Sequence, residues 1–124
     1  STLTLLADID YETRILFSIG GASFYPPPDV TSAVIGMYRR PEPLVGPELR
    51  PHYLMLLKDA FSHRRKTIKN NLVQGEVCAR YGREGVEALF NIAGISPQER
   101  AENLKFSQLK KLAEAIEDLS QHTD

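Results

Sequence analysis

Four cations, Arg64, Arg65, Lys66 and Lys69, fall within six positions, and no acid accompanies them between Phe61 and Leu72. Such a cluster attracts polyanions. Thr67, Asn70 and Asn71 add neutral donors beside it, a mixture suited to phosphate and ribose 2′-hydroxyl groups. At about 100° per residue on one continuous helix, Lys58, Arg65 and Lys69 are expected on one flank of an apolar stripe. Lys66 and Ser62 then lie nearer solvent, and Arg64 falls on the opposite flank. The competing reading is a solvated helix face, the usual fate of a charge run.

A second segment, Phe24-Tyr25-Pro26-Pro27-Pro28-Asp29-Val30-Thr31-Ser32-Ala33, could present an aromatic at a fixed place. Prolines at 26 and 28 hold an extended backbone that has little entropy left to lose, so Phe24 is a candidate for stacking on a ligand. The alternative is that Phe24 packs into a core, as most aromatics do.

Elsewhere the chemistry is sparse. The single cysteine, Cys78, allows no internal disulfide and no thiolate metal site, and His52, His63 and His122 lack ligand spacing. With 124 residues, 42% hydrophobic and 25% charged, the chain can bury one modest core. It contains no apolar run long enough to span a membrane, and its first residues lack the pattern of a secretory signal. A reducing, cytoplasmic setting is expected, with an organellar origin left open. The net charge of −1 averages over the basic segment and an acidic C-terminal stretch holding Glu114, Glu117, Asp118 and Asp124.

The elements that must position these residues change character along the chain. Residues 3 to 13 are compatible with a short helix, and Arg14 to Ile19 reads as a strand ended by Gly20-Gly21. Pro26-Pro27-Pro28 forbids regular structure, after which Ser32 to Tyr38 reads as a second strand pairing with the first. Two strands alone are marginal in water, which predicts a further sheet or helix for them to lean on. Residues 41–47, with three prolines and a glycine, read as a stiff linker.

Beyond the linker the pattern is helical. Leu54, Leu57, Phe61, Ile68 and Leu72 share one stripe if the helix is continuous. Val86, Leu89, Phe90 and Ala93 repeat at helical spacing up to Gly94, a C′ candidate. Ser96-Pro97-Gln98-Glu99 has the form of a capping box opening a helix. Ser107 is expected to cap a last helix whose apolar face is Leu109, Leu112, Ala113, Ile116 and Leu119. The fold expected is mainly α: residues 1–40 a short helix and β-hairpin, 41–47 a linker, and 48–124 a helical domain.

Phe24 to Ala33 matches the pattern Phe-x-Pro-x-Pro-x-Val-x-Ser-Ala, and Ala60 to Asn70 matches Ala-Phe-x-x-Arg-Arg-Lys-Thr-x-x-Asn. Gly94-Ile95, then Arg100-Ala101-Glu102-Asn103-Leu104, Phe106 and Leu109, form a third match in the same order. Together they resemble the ribosomal-RNA adenine N6-dimethyltransferases, across most of the chain from about Leu3 to Leu119.

The resemblance implies that the hairpin is the end of a truncated Rossmann-like α/β methyltransferase domain and that residues 48–124 are an RNA-binding helical domain. It implies an S-adenosylmethionine-dependent parent that dimethylates two adjacent adenosines near the 3′ end of small-subunit rRNA. The partner is then small-subunit rRNA or a pre-ribosomal small subunit, with a monomeric protein and no membrane. Phe24 takes the role of stacking on the extruded adenine. Lys58, Arg64, Arg65, Lys66, Lys69 and Asn70 take RNA contacts.

The family's cofactor turn and its Asn-Pro-Pro-Tyr or Asn-Leu-Pro-Tyr motif lie upstream of the matched region. This sequence has no Gly-x-Gly, and Asn70-Asn71 is not followed by proline. The chain alone is therefore expected to bind no cofactor and to be catalytically silent. Three alternatives stay open: a large-subunit rRNA resistance methyltransferase, a mitochondrial transcription factor B protein, and a stand-alone, non-enzymatic RNA- or ribosome-binding module.

Overall fold

The computed structural model describes residues 2–19 and 32–122. Its elements in order are α1 (Thr2–Asp10), β1 (Tyr11–Ile19), β2 (Ser32–Arg39), α2 (Arg50–Ala60), α3 (Ile68–Val73), α4 (Glu76–Ala93), a 3-10 turn (Ala101–Asn103) and α5 (Phe106–His122). The chain divides into two compact units. One is Ala7–Leu44, and the other joins the first six residues to Val45–Asp124. The Phe24 segment lies outside the described residues.

In the smaller unit, β1 and β2 pair antiparallel from Tyr11 opposite Arg39 to Ile19 opposite Ser32, with a bulge at Leu16 where Ile15 faces Ile35 and Phe17 faces Val34. The first strand begins at Tyr11, three residues earlier than its apolar run suggests, because Tyr11, Glu12 and Thr13 pair with Arg39, Tyr38 and Met37. Glu12 and Arg14 form a bidentate pair at 3.2 Å on one face. Arg14 also sits 5.0 Å over the Tyr38 ring. That ring lies against Gly36, the backbone partner of Arg14, where a side chain would collide with it.

Beyond β2 the chain is tied to the last carbonyls of α1, groups a helix end cannot satisfy itself. Arg40 donates from its backbone N–H to Asp10 and from Nε to Asp8, and the Leu44 N–H donates to Ile9. Even so, Ile15, Leu16, Phe17, Ile35 and Met37 remain more than half exposed. Two strands bury little by themselves.

The larger unit holds the core. Tyr53, Leu56 and Leu57 from α2, Ile68 and Leu72 from α3, Val77, Val86 and Leu89 from α4, and Leu109, Leu112 and Ile116 from α5 are all buried. Each such aliphatic side chain contributes on the order of 1.5–3 kcal/mol through burial. Tyr53 meets Phe106 edge to face, with ring centroids 5.9 Å apart. Val45, the first residue of this unit after the proline-rich residues 41–44, is fully buried.

Three sequence expectations need correction. The stripe from Leu54 to Leu72 is not one helix, because α2 ends at Ala60 and α3 begins at Ile68. Within α2, Leu54 is 41% exposed while Leu57 is buried. Ser96-Pro97 opens a turn, not a helix, because the carbonyls of Pro97 and Glu99 accept hydrogen bonds from Lys69 and Ile68, the first amides of α3. Ser107 lies inside α5, whose start is held by the Gln108 side chain accepting from the Lys105 N–H at 2.8 Å.

Other expectations held. Gly94 ends α4 in the left-handed conformation, at φ 67°. The face of α5 from Leu109 to Ile116 is buried, with Leu119 half-buried.

Candidate nucleic-acid interface

The basic residues lie on a structured turn. After Ala60 the chain leaves the helix, and the amide of Asn71 donates to the carbonyls of Ala60 (2.9 Å) and His63 (3.0 Å). The Ser62 hydroxyl donates to the Asp59 carbonyl at 2.7 Å, with Asn71 Oδ1 3.3 Å away. At the far end Thr67 caps α3 by accepting from the Asn70 N–H. Polar side chains thus satisfy the carbonyls at the end of α2 and fix both ends of the turn. Asn71 is only 1% exposed, so it holds the turn and is no surface donor.

The flank assignment made for a continuous helix therefore fails. Arg64, Arg65 and Lys66 sit on the turn between α2 and α3, while Lys58 and Lys69 sit on the two helices. Nor is the cluster without acids once the chain folds. Glu102 reaches Arg64 at 3.6 Å, and Glu87 reaches Lys69 at 3.5 Å. Lys66 donates to Gln74 Oε1 at 2.7 Å.

The Arg64 side chain keeps 90% exposure despite its pair, and such pairs hold little energy in water. Arg65 and Lys58 are exposed and have no ion-pair partner among the described residues. Asn70 is exposed, with its backbone N–H committed to Thr67. The surface can therefore offer a polyanion two uncommitted cations, with Arg64, Lys66 and Lys69 able to exchange weak partners for phosphates.

Sequence reasoning missed Asp59. Its buried carboxylate crosses from α2 to accept from the Val77 N–H at 2.8 Å, in the first turn of α4. Gly75 leaves room for it, since a Cβ there would strike the carboxylate. The signal was present in principle: an acid on the otherwise apolar face of α2.

Among the described residues no helix is long and apolar enough to cross a membrane, and no group of His, Cys, Asp and Glu could hold a metal ion.

Residues 1–118 match the family model described as ribosomal RNA adenine dimethylase. The ribosomal RNA small subunit methyltransferase A of Pelotomaculum thermopropionicum is 36% identical over 107 residues, covering 86% of this chain and 36% of that protein. Its namesake in Lactococcus lactis is 35% identical over 118 residues, covering 93% of this chain and 38% of that protein. The chain thus spans about two fifths of the length of such relatives.

Among solved structures, the 23S rRNA methyltransferase ErmE aligns with a TM-score of 0.70 at 25% identity, over 94% of this chain and 46% of that one. A dimethyladenosine transferase from Plasmodium falciparum aligns with a TM-score of 0.54 at 18% identity, over 90% of this chain and 46% of that one, a likeness of fold alone.

Proposed function

Because the chain belongs to the ribosomal RNA adenine dimethylase family, we propose that it is the RNA-gripping C-terminal part of a methyltransferase acting on small-subunit rRNA. The observation that carries this reading is the pinned turn at the family's Arg-Arg-Lys-Thr positions, with Arg65 exposed and without an acidic partner. A phosphate backbone meeting such a turn gains charge-assisted contacts at little ordering cost. Lys58, Arg64, Arg65, Lys66, Lys69 and Asn70 are the contacts proposed. The small-subunit substrate is favoured over the large because the curated relatives at 34% to 36% identity are small-subunit enzymes.

In this reading the whole protein uses S-adenosylmethionine to convert two adjacent adenosines near the 3′ end of that RNA to N6,N6-dimethyladenosine, and Phe24 stacks on the extruded base. The described residues do not fit the cofactor. β2 runs into the irregular stretch before α2, not into a helix whose amides could cradle it, and the sequence has no Gly-x-Gly. No catalytic step is assigned to this chain. The exposed apolar side chains of β1 and β2 suit a hairpin that completes the sheet of an α/β catalytic domain.

The test is the salt dependence of binding to a small-subunit rRNA fragment. Reversing Arg65, Lys66 and Lys69 to glutamate should weaken binding and flatten the log–log slope by roughly 0.7 to 0.9 per lost phosphate contact. An unchanged slope would return these residues to a solvated surface.

A further inference from the structure

A cavity of about 510 Å³ opens beside the basic turn, inside the larger unit. Its lining joins Leu5 of α1 and Phe61, Arg64 and Lys66 of the turn to Glu102 and Leu104 at the 3-10 turn. The volume falls within the roughly 300–1,000 Å³ of ordinary small-ligand sites. Apolar surface is supplied by Leu5, Phe61 and Leu104, cations by Arg64 and Lys66, and an acceptor by Glu102, which lies 3.6 Å from Arg64. The turn that forms one wall is fixed from below by Asn71.

A nucleotide needs these three chemistries together: a flat apolar surface for the base, cations for the phosphate, and a carboxylate for an exocyclic amine, ring N–H or ribose hydroxyl. We propose that this cavity receives one unstacked nucleotide of a bound RNA, its base against Leu5, Phe61 and Leu104 and its phosphate at Arg64 and Lys66. The inference rests on the RNA-binding reading above and deepens it. RNA gripped only by phosphate contact is held alike whether paired or looped, whereas a cavity for a splayed base selects an unpaired nucleotide.

The experiment compares binding of the whole chain to an RNA stem-loop and to the same stem as a closed duplex. Leu104→Trp fills the cavity without removing a cation, and Arg65→Glu changes a cation outside the lining. The chain should prefer the stem-loop. Leu104→Trp should weaken stem-loop binding by roughly five- to a hundred-and-fifty-fold, the range of one lost base-stacking contact, and leave duplex binding in place.

Adenosine monophosphate should shift the backbone amide resonances of Phe61 to Lys66 and Ala101 to Leu104 in the parent chain, and not in Leu104→Trp. Leu5→Trp is the second filling variant should Leu104→Trp fail to fold. A folded filling variant that keeps the stem-loop preference overturns the proposal. If, with that preference unchanged in the filling variant, adenosine monophosphate shifts those amides in the parent chain, the site serves a free nucleotide and the RNA assignment is wrong. Arg65→Glu should weaken both RNAs alike; no effect there counts against the RNA-binding reading itself, separately from the cavity.

Discussion

The side-chain amide of Asn71, in α3, donates to the carbonyl oxygen of Ala60 at the end of α2 across 2.9 Å, and to His63 at 3.0 Å. One buried side chain thereby closes two backbone groups that neither helix can satisfy. Asn71→Ala leaves them without a donor in a site closed to water, and should cost about 1–3 kcal/mol in urea unfolding. Asn71→Asp, which keeps the acceptor facing Ser62 but removes both donors, should cost at least as much. Equal stability of parent and variants would mean that the turn is held by other contacts.

Gly82 and Gly94 allow backbone strain to be separated from crowding, since a Cβ at either would meet nothing within 4 Å. Gly94 ends α4 at φ 67°, ψ 36°, ordinary left-handed geometry, whereas Gly82 breaks the same helix at φ 73°, ψ 175°. The second conformation is essentially reserved for glycine. Gly94→Ala should cost about 1–2 kcal/mol and Gly82→Ala about 1–3 kcal/mol, with Gly82→Ala the larger. Thermal melts of the two variants give the order, and a harmless Gly82→Ala would show that α4 runs straight without strain.

What the sequence disclosed follows from the range of the forces involved. The buried face of α5 and the stop at Gly94 were legible because apolar spacing and a left-handed C-cap are local properties. The break between α2 and α3 was not, since neither glycine nor proline marks it. It depends on Ser62, Thr67 and Asn71 outcompeting the helix for backbone groups, and Asn71 does so from the next element. Ser96-Pro97 misled for the opposite reason: a valid local start signal was overridden because α3 uses the carbonyls of Pro97 and Glu99. The family's basic residues were identified from their motif, but their acidic partners Glu87 and Glu102 lie far along the chain and only folding brings them near.

On the hairpin, the hydrogen bonds and charge of Arg14 hold the Glu12 carboxyl below its ordinary 4.5. The same pair raises the Arg14 guanidinium. A carboxyl depressed in the folded state contributes stability above its unfolded value, and that contribution is lost as pH falls through the folded one. The relevant window therefore lies below about pH 4.5, with the pair intact at neutrality. Arg14→Gln should move the Glu12 midpoint, followed by carboxyl carbon resonance, up toward 4.5. A midpoint that stays put would assign the depression to something other than Arg14.

The contact between Asp59 and Gly75 makes the sharpest energetic prediction, because the Asp59 carboxylate and a Cβ at position 75 would occupy the same space. The carboxylate must reach the Val77 N–H, 2.8 Å away in the first turn of α4, and it passes where a Cβ on residue 75 would stand. Asp59→Ala removes the cap and should cost about 0.5–2 kcal/mol, the usual range for a lost N-cap side chain. Gly75→Ala should also destabilise, by forcing the carboxylate off its acceptor position. In the double variant the added methyl group has nothing left to displace, so the two losses should fall short of additivity by about 0.5–3 kcal/mol, as for residues in direct contact. Chemical denaturation of the parent, both single variants and the double completes the cycle. Strict additivity would show that Gly75 is present for its own backbone and not for the carboxylate of Asp59.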